Sequence, residues 1–452
     1  MNIAGCVPIP LMTPRSLPSS PRQLGRLACL TLTLVGFAGC GGSAPSNTAQ
    51  VAQTNTRPQA AADAVSPWTV TPEELPSPAT GSSTTPQLTV EGERTILSWL
   101  ELADSGTTLK FAERTSSGWS EPRAVASGDN FVVNAADVPS VRALSDGTLA
   151  AHWLLEDGPD PEAYKLPLSL SKDGGRTWSR PMNPNHDRTK TQHGFASLFQ
   201  APGAGLGVVW LDGRATNPDG PEGANGSMSL YGAVYDRDAK QISETAIDAR
   251  VCDCCQLSAV ATSEGVIVAY RDRTADEIRD IYVTRLVDGH WSPPTPVHAD
   301  GWKIDGCPVN GPAVSARGRD VAVAWFTAKT GEGQAFAAFS QDGGRTFGQA
   351  IRVDDAVSRG QVDIELLADG SAAVTWVEFS NERSQFKVRR IEQSGARSPA
   401  VAIADISGSQ YPRLAQSRGE LLFAWTAVPP RVRTARASLG APSPKDTPSA
   451  SR

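Results

Sequence analysis

The chain has 452 residues, enough for one large repeat domain or for two to three ordinary domains. Its formal net charge is −6 at pH 7, and all charged residues before Cys40 are basic, so the remainder is more acidic than the whole. A chain of this charge lacks the basic face that nucleic acids require, and the composition argues against a nucleic-acid partner.

Residues 1–39 predict an export signal. Basic residues up to Arg26 precede an apolar run over residues 27–39, which is too short to span a membrane as a permanent helix. Small residues then precede Cys40, and this arrangement resembles the lipobox of bacterial lipoproteins. The resemblance implies cleavage before Cys40, lipidation of its thiol, and a lipid-anchored protein of the cell envelope, at the outer membrane or the periplasmic face.

Residues 40–85 are rich in Ser, Thr, Pro and Ala, with few large apolar side chains, and predict a flexible tether. Residues 67–71, which include Trp68, are a short β-prone exception within it. The Pro- and Ser-rich residues 439–452 predict a disordered tail. The folded part is therefore expected over residues 86–438.

Within residues 86–438 a strand that ends in an aromatic residue recurs seven times. The aromatic residues, spaced 49 to 60 residues apart, are Trp99, Trp153, Trp210, Tyr270, Trp325, Trp376 and Trp425. A period of this length is typical of four-stranded blades, so the sequence predicts an all-β fold, a single β-propeller. Seven repeats favour seven blades, with six as the alternative. The last unit lacks a fourth strand, and residues 67–71 are predicted to supply it and close the ring.

Two nearly identical eight-residue segments, 171–178 and 340–347, each lie between two short extended runs. In each, an aspartate can accept N–H bonds within a turn, and a Gly-Gly pair can take positive φ. The aromatic residue at the end can pack between sheets. The residues that define the pattern are Asp173, Gly175 and Trp178 in the first copy, and Asp342, Gly344 and Phe347 in the second.

This pattern resembles the Asp-box, or bacterial neuraminidase repeat, of sialidase-like β-propellers. The resemblance covers residues 86–438 and implies Asp-boxes on the face away from the active site. It also implies an exo-α-sialidase type of glycoside hydrolase, or a binding protein, for an anionic glycan. The first-blade Arg-Ile-Pro motif of that family is absent here, where residues 86–90 read Pro-Gln-Leu-Thr-Val.

Loops that lead into the inner strands, and loops that follow the aromatic residues, carry most of the unusual polar residues. In a propeller these loops converge on the axis and favour a binding cup there. Because guanidinium groups match carboxylates in bidentate geometry, arginines on these loops are candidates for holding an anionic ligand. The predicted ligand-binding residues are Arg271, Arg273, Arg359, Arg413 and Trp302.

The resemblance implies a tyrosine nucleophile activated by a carboxylate, and a carboxylic acid as the proton donor. Tyr411 is the candidate nucleophile, and Asp272, Asp363 and Glu365 are the candidate carboxylates. A non-enzymatic interaction scaffold is the alternative function. The chain is expected to be a monomer without a cofactor.

Cys252, Cys254 and Cys255 lie close together, and Cys307 follows one repeat later. In an exported protein four cysteines favour two disulfides, with three possible connectivities. A Cys252–Cys307 bridge would join adjacent blades near the axis. The alternatives are a thiolate site for copper or zinc, completed by His193, and a redox-active or free thiol.

Overall fold

The computed structural model describes Trp68 and residues 70–203, 205–216, 226–407 and 410–439. The predicted export signal, Cys40, most of the predicted tether and the tail from residue 440 onward lie outside these residues. The described chain is almost entirely β-structure, with one 3-10 turn at Arg214–Thr216. Among the described residues there is no helix with the length and apolar character needed to span a bilayer.

Seven sheets form the seven blades of a propeller, which confirms the predicted fold class and the larger blade number. The first strand, β1 (Glu73–Leu75), belongs to the last blade. Blade 1 contains β2 (Ser83–Glu91), β3 (Arg94–Ala103), β4 (Gly106–Glu113) and β5 (Arg123–Gly128). Blade 2 contains β6 (Ser140–Ala143) and β7 (Leu149–His152), then the inserted hairpin β8 (Leu155–Glu156) and β9 (Tyr164–Lys165), and finally β10 (Leu168–Ser171).

The next three blades follow the same order from the axis outward. Blade 3 contains β11 (His193–Ala201), β12 (Gly205–Asp212), β13 (Ser229–Tyr235) and β14 (Gln241–Asp248). Blade 4 contains β15 (Ser258–Thr262), β16 (Gly265–Arg271) and β17 (Ile281–Val287), whose outer edge pairs with β18 (His290–Trp291) and β19 (Thr295–His298). Blade 5 contains β20 (Ala313–Arg317), β21 (Asp320–Thr327), β22 (Gln334–Ser340) and β23 (Ile351–Arg352).

Blade 6 contains β24 (Val357–Leu366), β25 (Ala372–Ser380), β26 (Arg383–Ile391) and β27 (Val401–Asp405). Blade 7 contains β28 (Arg413–Ser417), β29 (Glu420–Ala427) and β30 (Arg431–Ser438), with β1 as its outermost strand. The inner strand of blade 7 contacts the inner strand of blade 1, and the ring is thereby closed.

The closing strand lies at residues 73–75 and not at the predicted residues 67–71. Glu73 and Leu75 lie opposite Arg436 and Thr434 of β30, and the Thr434 hydroxyl donates to the Leu75 carbonyl at 2.7 Å. Trp68 and Val70 instead pack against the apolar cluster shared by blades 6 and 7. The segment around Glu73 and Glu74 has few β-prone residues. It can still form an outermost strand, because such a strand is exposed on one edge and buries only Leu75 here.

The blades have two ends, which we name by their connections. The turn face carries the links between the first and second strands and between the third and fourth strands. The loop face carries the links between the second and third strands and the links from blade to blade. On the turn face, Glu264 in the link between β15 and β16 forms an ion pair of 2.7 Å with Arg345 in the link between β22 and β23.

Both predicted Gly-Gly turns form on the turn face. Asp173 accepts the amides of Arg176 and Thr177 at 3.0 and 2.9 Å, and it accepts the Thr177 hydroxyl at 2.7 Å. These bonds hold the pKa of Asp173 well below its usual value. Asp342 has the equivalent partners, Arg345 and Thr346. The geometry is that expected from the repeated pattern, and the assignment of the turns to the Asp-box family stays a prediction.

Apolar side chains of neighbouring blades form the core. The aromatic residues that end the second strands lie in it, and those with no measurable exposure are Trp99, Trp210, Tyr270, Trp325 and Trp376. Burial of such large side chains between blades accounts for their regular spacing in the sequence.

Candidate functional site

A cavity of about 360 Å³ lies on the propeller axis and is lined by the inner strands of all seven blades. Segments far apart in the chain therefore meet in one place, as the ring predicted. Five of the lining residues are charged and form what we call the axial cluster: Arg142, Arg317, Asp363, Glu365 and Arg413. Three of the five were predicted site residues, and Arg142 and Arg317 were not.

Hydrogen bonds between successive inner strands explain one member of the axial cluster. Ser197, Ser258 and Ser315 each accept the backbone amide of the following inner strand, at 3.0 to 3.1 Å. In blade 6 Asp363 occupies the register position of Ser197 and Ser258, and it accepts the amide of Leu414 at 2.9 Å. Blade 6 thus supplies at this position a carboxylate that also lines the cavity.

Both carboxyl groups of the axial cluster are held toward their neutral forms. Burial raises the pKa of Asp363, although the nearby Arg413 opposes the shift. Burial and the neighbouring Asp363 raise the pKa of Glu365 to about 8, so this residue is largely protonated at neutral pH. Glu365 also accepts the Ser315 hydroxyl at 3.0 Å. The pair can therefore supply a proton inside the cavity.

Arg413 is half-buried, and one nitrogen of its side chain has no partner. Its Nε is buried without a hydrogen-bond partner in the part of the chain that the structure describes. Burial lowers its pKa, opposed by the charge of Asp363. A guanidinium in a cavity with an unpartnered nitrogen is a place where an anion would bind.

Arg142 and Arg317 add positive charge at the other end of the same cavity. Arg142 contacts the Leu198 carbonyl at 3.5 Å and the Glu91 carboxylate at 3.9 Å, and its Nε has no described partner. Arg317 is exposed and contacts Gln416 at 3.3 Å. Their signal in the sequence is a charged residue within an inner strand, whereas the inner strands of blades 3 and 4 carry no Asp, Glu, Lys or Arg.

Side chains from several blades meet at the loop-face end of the cavity. The Gln256 side chain donates to the Ala136 carbonyl at 2.8 Å and accepts the Gly311 amide at 2.8 Å, so it joins three blades across the axis. Tyr411 packs against the core of blades 3 and 4, and its hydroxyl donates to the Val309 carbonyl. Tyr411 is thus part of this group of side chains, and no carboxylate hydrogen-bonds to its hydroxyl among the described residues.

Toward the turn face the lining continues to Gly92 and Arg317, which are both exposed. The cavity therefore reaches solvent on the face that carries the two Gly-Gly turns. The expected cup was on the opposite face, where Gln256 and Tyr411 instead contact other blades.

Arg271 and Trp302, two of the predicted ligand-binding residues, are buried in the wall of blades 4 and 5. Arg271 donates to the carbonyls of Asn310, Arg279 and Phe326 at 2.9, 2.6 and 2.7 Å. Its guanidinium lies 5.0 Å from the Trp302 ring centre, and Trp302 is only 6% exposed. These contacts stabilise loops and leave neither side chain facing a ligand.

The other predicted residues on the loop face do not converge either. Arg273 forms ion pairs with Asp253 and Glu277 at 3.0 and 2.8 Å. Burial and the adjacent Asp248 raise the pKa of Asp272 to about 7. Arg359 is exposed and lies over the Phe379 ring, 4.6 Å from its centre. Of the four predicted arginines, only Arg413 lines the axial cavity with the predicted carboxylates.

His193 lies in a separate buried group at the loop end of blade 3. Its two ring nitrogens contact the Thr191 carbonyl and the Asp187 carboxylate, each at 3.0 Å, and Asp212 lies 3.7 Å away. Arg214 contacts Asp187 and Asp212 at 3.1 and 2.8 Å. Both acids are therefore neutralised by Arg214 and His193, and His193 is not available to the cysteines.

The four cysteines form two disulfides, Cys252–Cys255 and Cys254–Cys307. The prediction of disulfides is confirmed, but the bridge between adjacent blades starts from Cys254 and not from Cys252. The predicted thiolate metal site would require all four sulfurs to be free. Three of them lie within 4.8 Å of one another.

No protein-family model and no curated protein matches this sequence. Among solved structures, the chain is similar to the polysaccharide lyase Uly1, at 10% identity, with 79% of this chain and 90% of that chain covered and a TM-score of 0.48. It is also similar to an α-L-arabinanase from Penicillium chrysogenum, at 14% identity over 68% and 95% of the two chains, with a TM-score of 0.44. A variant of the NanB sialidase from Streptococcus pneumoniae is similar at 10% identity over 77% and 83%, with a TM-score of 0.42. At these values the likeness concerns the general fold.

Proposed function

We propose that this propeller binds a small carboxylate-bearing ligand, an acidic sugar or the acidic end of a glycan, in the axial cavity. The observation that carries the proposal is the guanidinium of Arg413, which lines the cavity with an unpartnered Nε. A ligand carboxylate would supply the missing bidentate partner. Arg142 and Arg317 would add to the attraction along the way in from the turn face.

The rest of the lining suits a ligand that carries hydroxyl groups. Amide and hydroxyl side chains surround the charged residues, and those in the lining include Gln87, Thr89, Ser140, Ser258 and Gln416. A volume of about 360 Å³ lies within the range of sites for small molecules, which begins at about 300 Å³. These features favour an acidic monosaccharide unit over a large polymer segment.

Hydrolysis of such a glycan is a second candidate function, supported by the carboxyl pair on β24. Glu365 is held protonated near neutrality and could donate a proton to a leaving oxygen, and Asp363 lies two residues away on the same strand. Tyr411 is not proposed as the nucleophile, because its hydroxyl donates to the Val309 carbonyl. Turnover of fluorogenic sialosides and glucuronides tests this function, and Glu365→Gln should abolish any turnover found.

Calorimetric titration with N-acetylneuraminate and glucuronate tests the binding proposal. Arg413→Ala should weaken binding by roughly 10- to 100-fold, since a hydrogen bond to a charged group is worth about 1.5–3 kcal/mol. The matched control is Arg359→Ala, which removes an exposed arginine that does not line the cavity. Equal affinities for the wild type and Arg413→Ala, or equally tight binding of an uncharged sugar such as glucose, would remove the proposal.

We also propose that the chain is exported and anchored through a lipid on Cys40. The two disulfides support export, because such bonds persist in oxidising compartments. Metabolic labelling with a radioactive fatty acid should mark the wild type in the membrane fraction. Cys40→Ser should lose the label and leave the membrane, and an unchanged label in that variant would contradict the anchor.

A further inference from the structure

The two disulfides lie side by side at the loop end of blade 4 and differ in their exposure. Cys252 and Cys255 are 0% and 1% exposed, whereas Cys307 is exposed at the surface. The sulfurs of Cys252 and Cys254, which belong to different bridges, are only 4.0 Å apart. A reductant can therefore reach one bridge from solvent, and that bridge is in contact with the second.

We propose that the four cysteines form a thiol–disulfide exchange centre that takes electrons from an external dithiol through Cys307. The proposal is independent of the carboxylate-binding function. Exchange proceeds when a thiolate attacks a disulfide sulfur and the other sulfur leaves as a thiolate. The contact between Cys252 and Cys254 places such a pair at attacking distance once Cys254 is free.

The steps balance as follows. A thiolate of the external dithiol attacks the Cys307 sulfur, and the Cys254 thiolate leaves. Cys254 attacks Cys252, a Cys252–Cys254 bond forms, and the Cys255 thiolate leaves and takes up a proton. The second thiol of the dithiol then attacks the dithiol sulfur that is bonded to Cys307. The dithiol closes into a disulfide, and the Cys307 thiol is released. The dithiol has lost two electrons and two protons, and the chain now carries thiols at Cys255 and Cys307.

A buried arginine supports the internal step. Arg279 is 2% exposed, and its guanidinium lies 3.7 Å from the Cys252 sulfur. Glu277 holds it there at 2.8 Å, and Arg273 joins Glu277 to Asp253 within the cysteine segment. Positive charge beside a sulfur favours its thiolate form, so Arg279 is a positioning residue that makes negative charge on the sulfur cluster less costly.

Partial reduction of the exported chain by dithiothreitol tests the proposal, with acid quenching, alkylation and mass-spectrometric mapping of the thiols. At two thiols per chain, Cys255 and Cys307 should be alkylated and a Cys252–Cys254 bridge should be present. Alkylation of Cys254 and Cys307 with an intact Cys252–Cys255 bridge would overturn the proposal. Circular dichroism of the same samples should show an unchanged fold.

Cys307→Ser provides a second test that needs no reductant. It leaves one thiol among the three remaining cysteines of the group, and this thiol should distribute between Cys254 and Cys255 because the internal exchange is reversible. A thiol confined to Cys254 would contradict the exchange. In this variant Arg279→Gln should slow the redistribution roughly tenfold at pH 7. It should also shift the rise of the exchange rate to higher pH, whereas Arg279→Lys should retain the rate.

Metal binding is the competing outcome. If the fully reduced chain binds one zinc or copper(I) ion, and partial reduction yields no rearranged bridge, the cluster is a metal site and the exchange proposal fails.

Discussion

Single positions around the axis of this propeller serve two purposes. Asp363 accepts an inner-strand amide, as Ser197 and Ser258 do at the same register position, and it also places a carboxyl group in the axial cavity. Arg413, two residues from Tyr411, lies beside it with an unpartnered nitrogen. At the scale of the residue, the candidate site is a departure from a repeated structural position, and the departure is what makes it chemically distinct.

His152 is a buried residue with a predictable effect on acid stability. It is fully buried on β7, neither ring nitrogen has a partner among the described residues, and burial lowers its pKa to about 3. The unfolded chain takes up this proton near pH 6.5, so stability is complete above that pH and falls toward pH 3, by about 1.4 kcal/mol per pH unit.

His152→Leu should remove this slope. Between pH 7 and pH 5 the wild type should lose roughly 2 kcal/mol more unfolding free energy than the variant, measured by urea denaturation at each pH. Carboxyl groups with raised pKa values give the unfolding free energy the opposite pH dependence. Both proteins contain them, so their contribution cancels in the difference between wild type and variant. Parallel pH dependence in the two proteins would show that His152 finds a proton acceptor in the folded state.

The two glycines of the first turn allow a matched comparison. Both have positive φ, +74° at Gly174 and +83° at Gly175. A Cβ at Gly175 would lie 2.4 Å from the Phe111 ring, whereas at Gly174 the nearest atom is 3.6 Å away on Arg123. Gly175→Ala should therefore cost about 1–3 kcal/mol more unfolding free energy than Gly174→Ala, since only the first adds overpacking to backbone strain. Equal losses in chemical denaturation would mean that Phe111 moves aside freely.

Among the strands, the outermost strand of the last blade comes from the opposite end of the folded chain. Strand β1 holds β30 through backbone pairing and through the buried side chain of Leu75. Inner strands are recognisable in the sequence by their apolar patterns, whereas β1 contributes a single buried side chain among three residues. Its position could not be predicted from pattern alone, because pairing with β30 is what makes it a strand.

Truncation tests the closure of the ring. A chain that starts at residue 67 should be as stable as the full chain. A chain that starts at residue 77 loses β1, Trp68 and Val70, and should lose roughly 3–5 kcal/mol of unfolding free energy from the burial of Leu75 and Val70 together with the β30 pairing. Equal denaturation midpoints for the two truncated chains would show that the ring is held by the other blades alone.

For the whole molecule, the repeat of aromatic-ended strands was sufficient to predict a seven-bladed propeller, because each blade buries the same large residue in the same place. The site was harder to predict. The sequence does not distinguish Arg271 from Arg413. In the structure Arg271 donates to three carbonyls, whereas the Nε of Arg413 has no hydrogen-bond partner among the described residues. That difference depends on which loops meet in three dimensions, and a repeat pattern does not contain it.

The contacts at the loop-face end of the cavity were unpredictable for the same reason. Gln256 and Tyr411 are ordinary polar residues in the sequence, and only the structure shows that they meet Ala136, Gly311 and Val309 at that end. The cavity reaches solvent on the turn face, opposite the expected side.

A crystal structure of the protein with N-acetylneuraminate or glucuronate tests the central claim most directly. The account predicts ligand density in the axial cavity, with the carboxylate about 3 Å from the guanidinium of Arg413 and the sugar extending toward Arg317. Ligand found only in the loops of the loop face, or an axial cavity that holds only water at saturating ligand, would contradict it.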